Sequence, residues 1–514
     1  MIEHLKVKPL SAELQGWRDK IEAIAAEQGL DFFPTIFEVI TYDKMNEIAA
    51  YDGFPVRYPH WRFGMAYEQL SKSYMYGLSK IYELVINTDP CYAYLLEGNA
   101  LVDQKLVMAH VYGHCDFFKN NFWFSATNRR MIDTLANHAS RIKRYQALYG
   151  QRQVEEFIDA CLSLDNLIDV HRPYRPQASQ SQHKPSLDLP DELIGAGSAA
   201  PRLKVKEYMD EFVNPEEREA ERARRLEAER AERARFPAEP ERDVLLFLME
   251  SAPLTTWQRN VLEMLREEAY YFAPQRMTKI MNEGWACFWH TRLMTQGGIM
   301  DPSEVIDYAD RHSGTVAAHK GRLNPYRLGL ELFKHIFERW EKGRFGREYE
   351  DCDSLEEKAR WDTGAGLGLQ KVFEVRRHHN DLTFLDEFLT PEFCSEQQLF
   401  TFESNPRARA WQIASVEFKE VKRKLLAQLT NMGQPIIEVL DARFEGRDEL
   451  LLRHSYEGVA LDDAYTKPTL KNLHRLWRRP VHLQTVRKRR DAEELVLLSF
   501  DGREHSERSL GAPV

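Results

Sequence analysis

Two histidines four residues apart, His110 and His114, stand in the run Leu106-Val107-Met108-Ala109-His110-Val111-Tyr112-Gly113-His114-Cys115-Asp116-Phe117-Phe118. On a helix this spacing stacks them on one face, where two imidazoles can grip a single divalent ion. The hydrolytic HExxH pattern places a glutamate after the first histidine as general base. Val111 stands there instead, so ordinary zincin hydrolysis lacks its base. In an arbitrary helical protein such a pair is more often packed or exposed than ligating. Here it lies on an otherwise core-facing helix and is followed by Asp116 and by Lys119-Asn120-Asn121. Burying the pair is costly unless its members are bonded or metallated, which tips the reading toward a metal.

The run Met281-Asn282-Glu283-Gly284-Trp285-Ala286-Cys287-Phe288-Trp289-His290 offers a third ligand. Glu283 would complete a His2Glu set with water in the fourth position, as in catalytic zinc sites. His290 lies seven residues on, on the same face but about 10.5 Å along the axis, too far to share the ion. It is expected nearby, supporting a ligand, touching substrate or holding a second metal. A replacement for the missing base is sought in Asp116, His138 and His290. Asp116 is the nearest carboxylate to the pair, yet its offset turns it about 200° around the helix. His138, in Met131-Ile132-Asp133-Thr134-Leu135-Ala136-Asn137-His138, lines the same cavity or is a satisfied core histidine. His378-His379-Asn380-Asp381 is less informative, because adjacent helix residues diverge. No nucleophile elbow surrounds Ser313, and no phosphate-binding glycine pattern occurs.

The elements that must carry these residues are mainly helical. Apolar residues recur at three and four through WRDKIEAIAAEQ, FEVITYDKMNEIAAY, MAYEQLSKSYMYGLSKIYEL, DQKLVMAHVYGHCDFF and VEEFIDACLSLDNLI, giving a helical domain over 1–170. Residues 171–240 break the pattern with Pro, Ser and Gln and then the charge-dense ERAERAR run, a linker or exposed excursion that includes a solvated helix. Helical periodicity resumes over 241–430. Residues 431–514 turn to β-rich runs, QPIIEVLDA, ELLLRHSY, PVHLQTV and ELVLLSF, with the helix TLKNLHRLWRR between the second and third, a small α+β domain.

Bulk properties bound the function. With 514 residues and 43% hydrophobic content the chain can bury large cores, so general disorder is excluded. A net charge of −10 disfavours a nucleic-acid binder, although Arg475 to Arg490 gathers seven cations within 16 residues. The six cysteines include no CxxC pair, so thiolate zinc and a disulfide framework are not indicated. No signal peptide or membrane span is apparent, and a cytoplasmic location is expected.

Four blocks in order, HVYGHCDFFKNNFWF, MNEGWACFWHTRLM, the NPYRLG of Asn324 to Gly329 and YEGVALDDAY followed by LHRLWRRPVHLQT, resemble the SpoVR family (stage V sporulation protein R) over nearly the whole chain. The EGWA element is also similar to a gluzincin peptidase helix whose glutamate is the third zinc ligand. The resemblance implies a gluzincin-like helical body, a zinc ion on His110, His114 and Glu283, and a role in a sporulation or stress-response module. It further implies a PrkA-type serine kinase and a YhbH-like protein as partners, with the C-terminal domain as docking unit. A metal-dependent hydrolase of amide or peptide bonds is the first expectation; a non-catalytic scaffold is the alternative.

Overall fold

The computed structural model describes residues 8–75, 83–175, 235–317, 323–405, 410–489 and 492–512; the ERAERAR run lies outside them. The chain divides into two compact units, each built from two stretches: Met1–Glu155 with Glu267–Gln434, and Glu156–Arg266 with Pro435–Val514. The sequence division at 430 lies close to the step from Gln434 to Pro435, whereas those at 170 and 240 do not coincide with the steps at Glu155 and Arg266, because a contact between distant stretches leaves no mark in local periodicity.

Helices dominate the first unit, and a small sheet interrupts them where continuous helix is expected. FEVITYDKMNEIAAY splits into the strand Thr35–Ile40 and the helix Tyr42–Ala50, with the Thr41 side chain accepting from Lys44 N at the junction. Ile36, Phe37, Val39 and Ile40 are the β-branched and aromatic residues that fit a pleated surface. The helix through MAYEQLSKSYM is Trp61–Met75, and Glu83–Ile86 is a strand rather than its continuation. Cys91–Leu96 is the middle strand, parallel to Thr35–Ile40 and antiparallel to Glu83–Ile86, with Glu83 opposite Leu95. A two-stranded ribbon, Thr401–Asn405 with Ala410–Ser415, likewise precedes the helix Phe418–Leu429.

Three helices form the heart of this unit. Leu101–Asn120 is buried almost from end to end, which accounts for its weak amphipathic signal. It crosses Lys279–Gln296, which in turn packs on Pro325–Glu341. Glycines set the crossings. A Cβ on Gly113 would lie 2.8 Å from Ala286 Cα, and one on Gly284 would lie 2.3 Å from the carbonyl carbon of Gly329. Only a residue without a side chain allows that approach. Around the crossings, Met108, Tyr112, Phe117, Trp285, Trp289 and Phe333 fill one core.

The Lys279–Gln296 helix receives its N-terminal cap from elsewhere. Thr278 makes no side-chain cap bond, and the Asp381 carboxylate accepts from Ile280 N (2.8 Å) and Met281 N (2.9 Å). Two orphan N–H groups of the helix are thereby satisfied.

In the second unit a five-stranded sheet runs in the order His505–Gly511, Ala492–Phe500, Val481–Arg489, Glu449–His454, Ile437–Phe444. Only the pair Glu449–His454 and Val481–Arg489 is parallel, and the helix Asp463–Trp477 makes the crossover such a pair requires. His505–Gly511 is exposed at every position, so it lacks the apolar alternation that marks the other strands in the sequence. The apolar helix Val244–Ser251 belongs to this unit, with the Phe247 ring tilted against that of Trp477 at 5.9 Å. No helix among the described residues is long and apolar enough to cross a membrane.

Candidate metal centre

The crossing of Leu101–Asn120 over Lys279–Gln296 brings His110 and His114 against Glu283, and the short strand adds Glu83. His110 Nε2 stands 3.3 Å from Glu83 Oε1 and 3.6 Å from Glu283 Oε2; His114 Nε2 stands 3.8 and 3.5 Å from the same atoms. Donor atoms on a tetrahedral ion with bonds of about 2.0–2.1 Å lie about 3.3–3.4 Å apart, so the four separations are close to those of ligands around one ion. Glu83, His110 and His114 also meet within 4.8 Å of one another.

Two atoms of this cage are buried without a hydrogen-bond partner, His110 Nε2 and Glu283 Oε2. Leaving such groups unsatisfied costs about 1–3 kcal/mol each, and more for a charged one. A cation between them satisfies both, so the donor set fits a divalent ion. The field points the same way. Burial alone lowers the pKa of His114, but Glu283 and Glu83 outweigh it and raise it to about 10. Burial raises that of Glu283, yet His110 and His114 hold it well below the usual carboxylate range.

The surrounding bonds aim each ligand. Lys279 Nζ takes Glu283 Oε1 at 2.6 Å, leaving Oε2 toward the imidazoles. Asn282 Oδ1 lies 2.9 Å from His114 Nδ1, so a proton on Nδ1 leaves the Nε2 lone pair facing the cage. His110 Nδ1 meets His290 Nδ1 at 2.8 Å, and His290 Nε2 meets His312 Nδ1 at 3.0 Å. If His110 offers Nε2 to an ion, its Nδ1 holds a proton and donates to His290; His290 then carries its own proton on Nε2 and donates to His312. One tautomer order follows for the whole chain. Burial, followed by the charges of His110 and His312, keeps the His290 pKa well below normal, consistent with a neutral ring that accepts and donates at once. His110, Cys287 and His290 form a second close group, but the 2.8 Å between the two Nδ1 atoms is a hydrogen-bond length, shorter than a tetrahedral edge.

A cavity of about 540 Å³ opens beside the cage, lined among others by Glu83, His110, His290, Arg311 and Tyr326. The Tyr326 ring stacks 6.4 Å from that of His110. Its phenol pKa is raised by burial and then by the Glu283 and Glu83 charges, so it stays a donor.

Of the residues sought as a base, Asp116 faces away, as its helical offset implies. It accepts from Asp31 N and from Trp285 Nε1, each at 2.8 Å, and lies 3.2 Å from Arg376 Nε. His138 pairs with Glu268 at 3.2 Å and Glu267 at 3.4 Å, neither of them part of the cage. His290 stands behind His110. Glu83 escaped the sequence reading because the helical periodicity around it hid a strand; a lone carboxylate in Ile81-Tyr82-Glu83-Leu84-Val85-Ile86 was the available signal. His312 carried none, and Tyr326 stood in the NPYRLG block, which marked the family resemblance and not the site. His379 pairs with Glu387 at 3.6 Å, and Asp381 serves as the helix cap already described.

Fold and site together define a mainly helical protein with a buried histidine–carboxylate cage and a separate C-terminal sheet. The chain matches the family model "SpoVR like protein" over residues 10–434 and "SpoVR-like C-terminal domain" over 435–488, and it belongs to the SpoVR family. The boundary between the two matches coincides with the step from Gln434 to Pro435 between the compact units. The chain is 31% identical over 483 residues to the uncharacterized protein YcgB of Escherichia coli (strain K12), with 89% of each chain covered. No solved structure matches it.

Proposed function

We propose that His110, His114 and Glu283 hold a divalent metal, zinc in the first instance, in a gluzincin-like site that hydrolyses an amide or peptide bond. The observation that carries this reading is the pair of buried, unpartnered atoms, His110 Nε2 and Glu283 Oε2, facing each other across 3.6 Å. Bound there, the ion supplies Lewis acidity toward a carbonyl oxygen and toward a water. Glu83 takes the role that Val111 cannot. It lines the cavity, its side chain retains 22% exposure, and its carboxylate can receive the proton of an attacking water and pass it to the leaving amine. The Tyr326 phenol donates toward the developing oxyanion.

Metal analysis of the purified protein tests the ligand set. Wild type is expected to carry about one zinc, iron or manganese per chain, and His110→Ala and Glu283→Ala to lose it while staying folded, since one site is small against so large a core. Wild type without stoichiometric metal, and without a stability change on chelation, sinks the proposal. Glu83→Gln is expected to keep the ion and lose about 10²- to 10⁴-fold in hydrolysis of a peptide library. Loss of the ion instead makes Glu83 a fourth ligand and the site structural.

The exposed edge strand His505–Gly511 favours a second reading, a scaffold of a cytoplasmic sporulation or stress-response module. Its outer side carries no further strand among the described residues, which suits strand addition by a PrkA-type kinase or a YhbH-like protein. Pull-downs with the full chain and with a chain lacking 505–514 distinguish the two, and equal recovery counts against docking at this edge.

A further inference from the structure

Away from the metal cage, the first unit contains a cavity of about 720 Å³ whose floor is Arg57. The Arg57 side chain is 1% exposed. Its Nη2 donates to Glu268 Oε2 at 2.7 Å and lies 3.5 Å from Asp52 Oδ2, while Nε and Nη1 are buried with no hydrogen-bond partner. The guanidinium stands 5.2 Å from the Phe63 ring and 5.3 Å from that of Tyr58. Those faces hold the cation but do not accept its remaining N–H bonds in the way an oxygen would, and an unmade hydrogen bond here carries the usual desolvation cost.

The distribution of charge around the cavity is graded. Arg57 lies at the floor, whereas Asp43 is exposed and Glu47 is held by Lys44 at 3.0 Å, so the carboxylates stay at the rim. Lys143 adds a second cation from the helix Met131–Tyr149. Between floor and rim the walls are aromatic: Tyr51, Tyr58, Phe63 and Tyr67.

Gly64 is the second, independent observation. It lies inside the helix Trp61–Met75, where glycine costs roughly 1 kcal/mol relative to alanine. A Cβ there would meet nothing within 4 Å among the described residues, and Gly64 lines the cavity. No close packing requires the glycine. Gly64 is exposed, so its missing side chain leaves the solvent side of the cavity open.

We propose that this cavity binds a small molecule in which an oxyanion, phosphate or carboxylate, is carried directly on an aromatic ring. The oxyanion accepts from Arg57 and is attracted by Lys143, and the ring packs on the tyrosines. The volume lies within the range of small-molecule sites. The Arg57–Glu268 pair fixes the guanidinium in place before the ligand arrives, with His138 pairing to the same glutamate from behind.

Phenyl phosphate, benzoate, inorganic phosphate and benzyl alcohol, titrated calorimetrically into the full-length protein, test this. Phenyl phosphate or benzoate is expected to bind and to raise Tm, and the stronger of the two names the oxyanion. Inorganic phosphate and benzyl alcohol, each carrying half of the recognition, should bind at least about tenfold more weakly. Arg57→Lys should weaken binding, but it disturbs a buried ion pair and can cost folding. Gly64→Leu therefore decides the matter: it leaves Arg57, Glu268 and the metal cage untouched and adds a bulky side chain to the cavity lining. That variant should keep its Tm and metal content and lose the ligand. Absence of binding by both aromatic oxyanions at millimolar concentration, or equal binding by Gly64→Leu, overturns the proposal.

Discussion

Each imidazole of the cage is steered from its far side, His114 by Asn282 and His110 by His290, which itself leans on His312. Partners of this kind fix ring orientation and tautomer, and removing one typically costs about 10- to 100-fold in metal affinity. His290→Phe should therefore keep the fold and lose affinity by that factor in competition with a chromophoric chelator; His312→Phe should lose less, being one bond further out. Unchanged affinity in His290→Phe would mean that packing alone orients His110. At this scale the sequence was legible where chemistry is local. His110 and His114 announce themselves by one helical turn, and Glu283 by its place in an otherwise apolar helix. Glu83 was not legible, because its membership depends on a strand pairing, Glu83 with Leu95, that no window of neighbouring residues contains.

The helix Lys279–Gln296 is held at two levels, by its glycine crossings and by the Asp381 cap. Gly284→Ala places a Cβ 2.3 Å from backbone carbon of Gly329, which cannot swing aside, whereas Gly113→Ala meets Ala286 Cα at 2.8 Å. Overpacking of this kind typically costs about 1–3 kcal/mol or more, and we expect Gly284→Ala to lower Tm further than Gly113→Ala and to reduce metal content by displacing Glu283. The Asp381 cap adds a pH dependence. Burial pushes its carboxyl up to about 7 against the pull of its two backbone bonds. The unfolded value is about 3.9, so the folded state binds the proton more tightly. Its contribution is fully present below about pH 4 and is lost as pH rises to about 7, at up to about 1.4 kcal/mol per pH unit. Asp381→Asn, a fixed neutral side chain, should gain stability relative to wild type across that window in urea unfolding; parallel pH profiles would show that Asp381 does not titrate there. The helices themselves were readable from apolar spacing. FEVI and YELVI were not, since apolar residues dense enough for a buried strand also satisfy a three-and-four pattern.

All the residues of the cage and of the Arg57 cavity belong to the first unit, and none comes from 176–234. Deleting 176–234 should therefore leave metal content unchanged, and loss of the ion would place that segment on the site. Truncation at Gln434 is a different matter. It removes the five-stranded sheet while keeping Val244–Ser251, whose Val244, Leu245, Leu246, Phe247 and Leu248 are buried in the intact protein. We expect the truncated chain to aggregate where the full chain does not. The interleaved order of the two units, first, second, first, second, also imposes a timetable on the ribosome. Glu283 follows His114 by 169 residues. At about 5–20 residues per second, the histidine pair waits roughly ten to thirty seconds for its carboxylate. Through that interval the helix Leu101–Asn120 has no Lys279–Gln296 to cross, and its apolar surface must be shielded by chaperones or by transient collapse. An ion held by the proposed ligand set could accordingly load only late in the life of the nascent chain, once both helices that carry its ligands have been made.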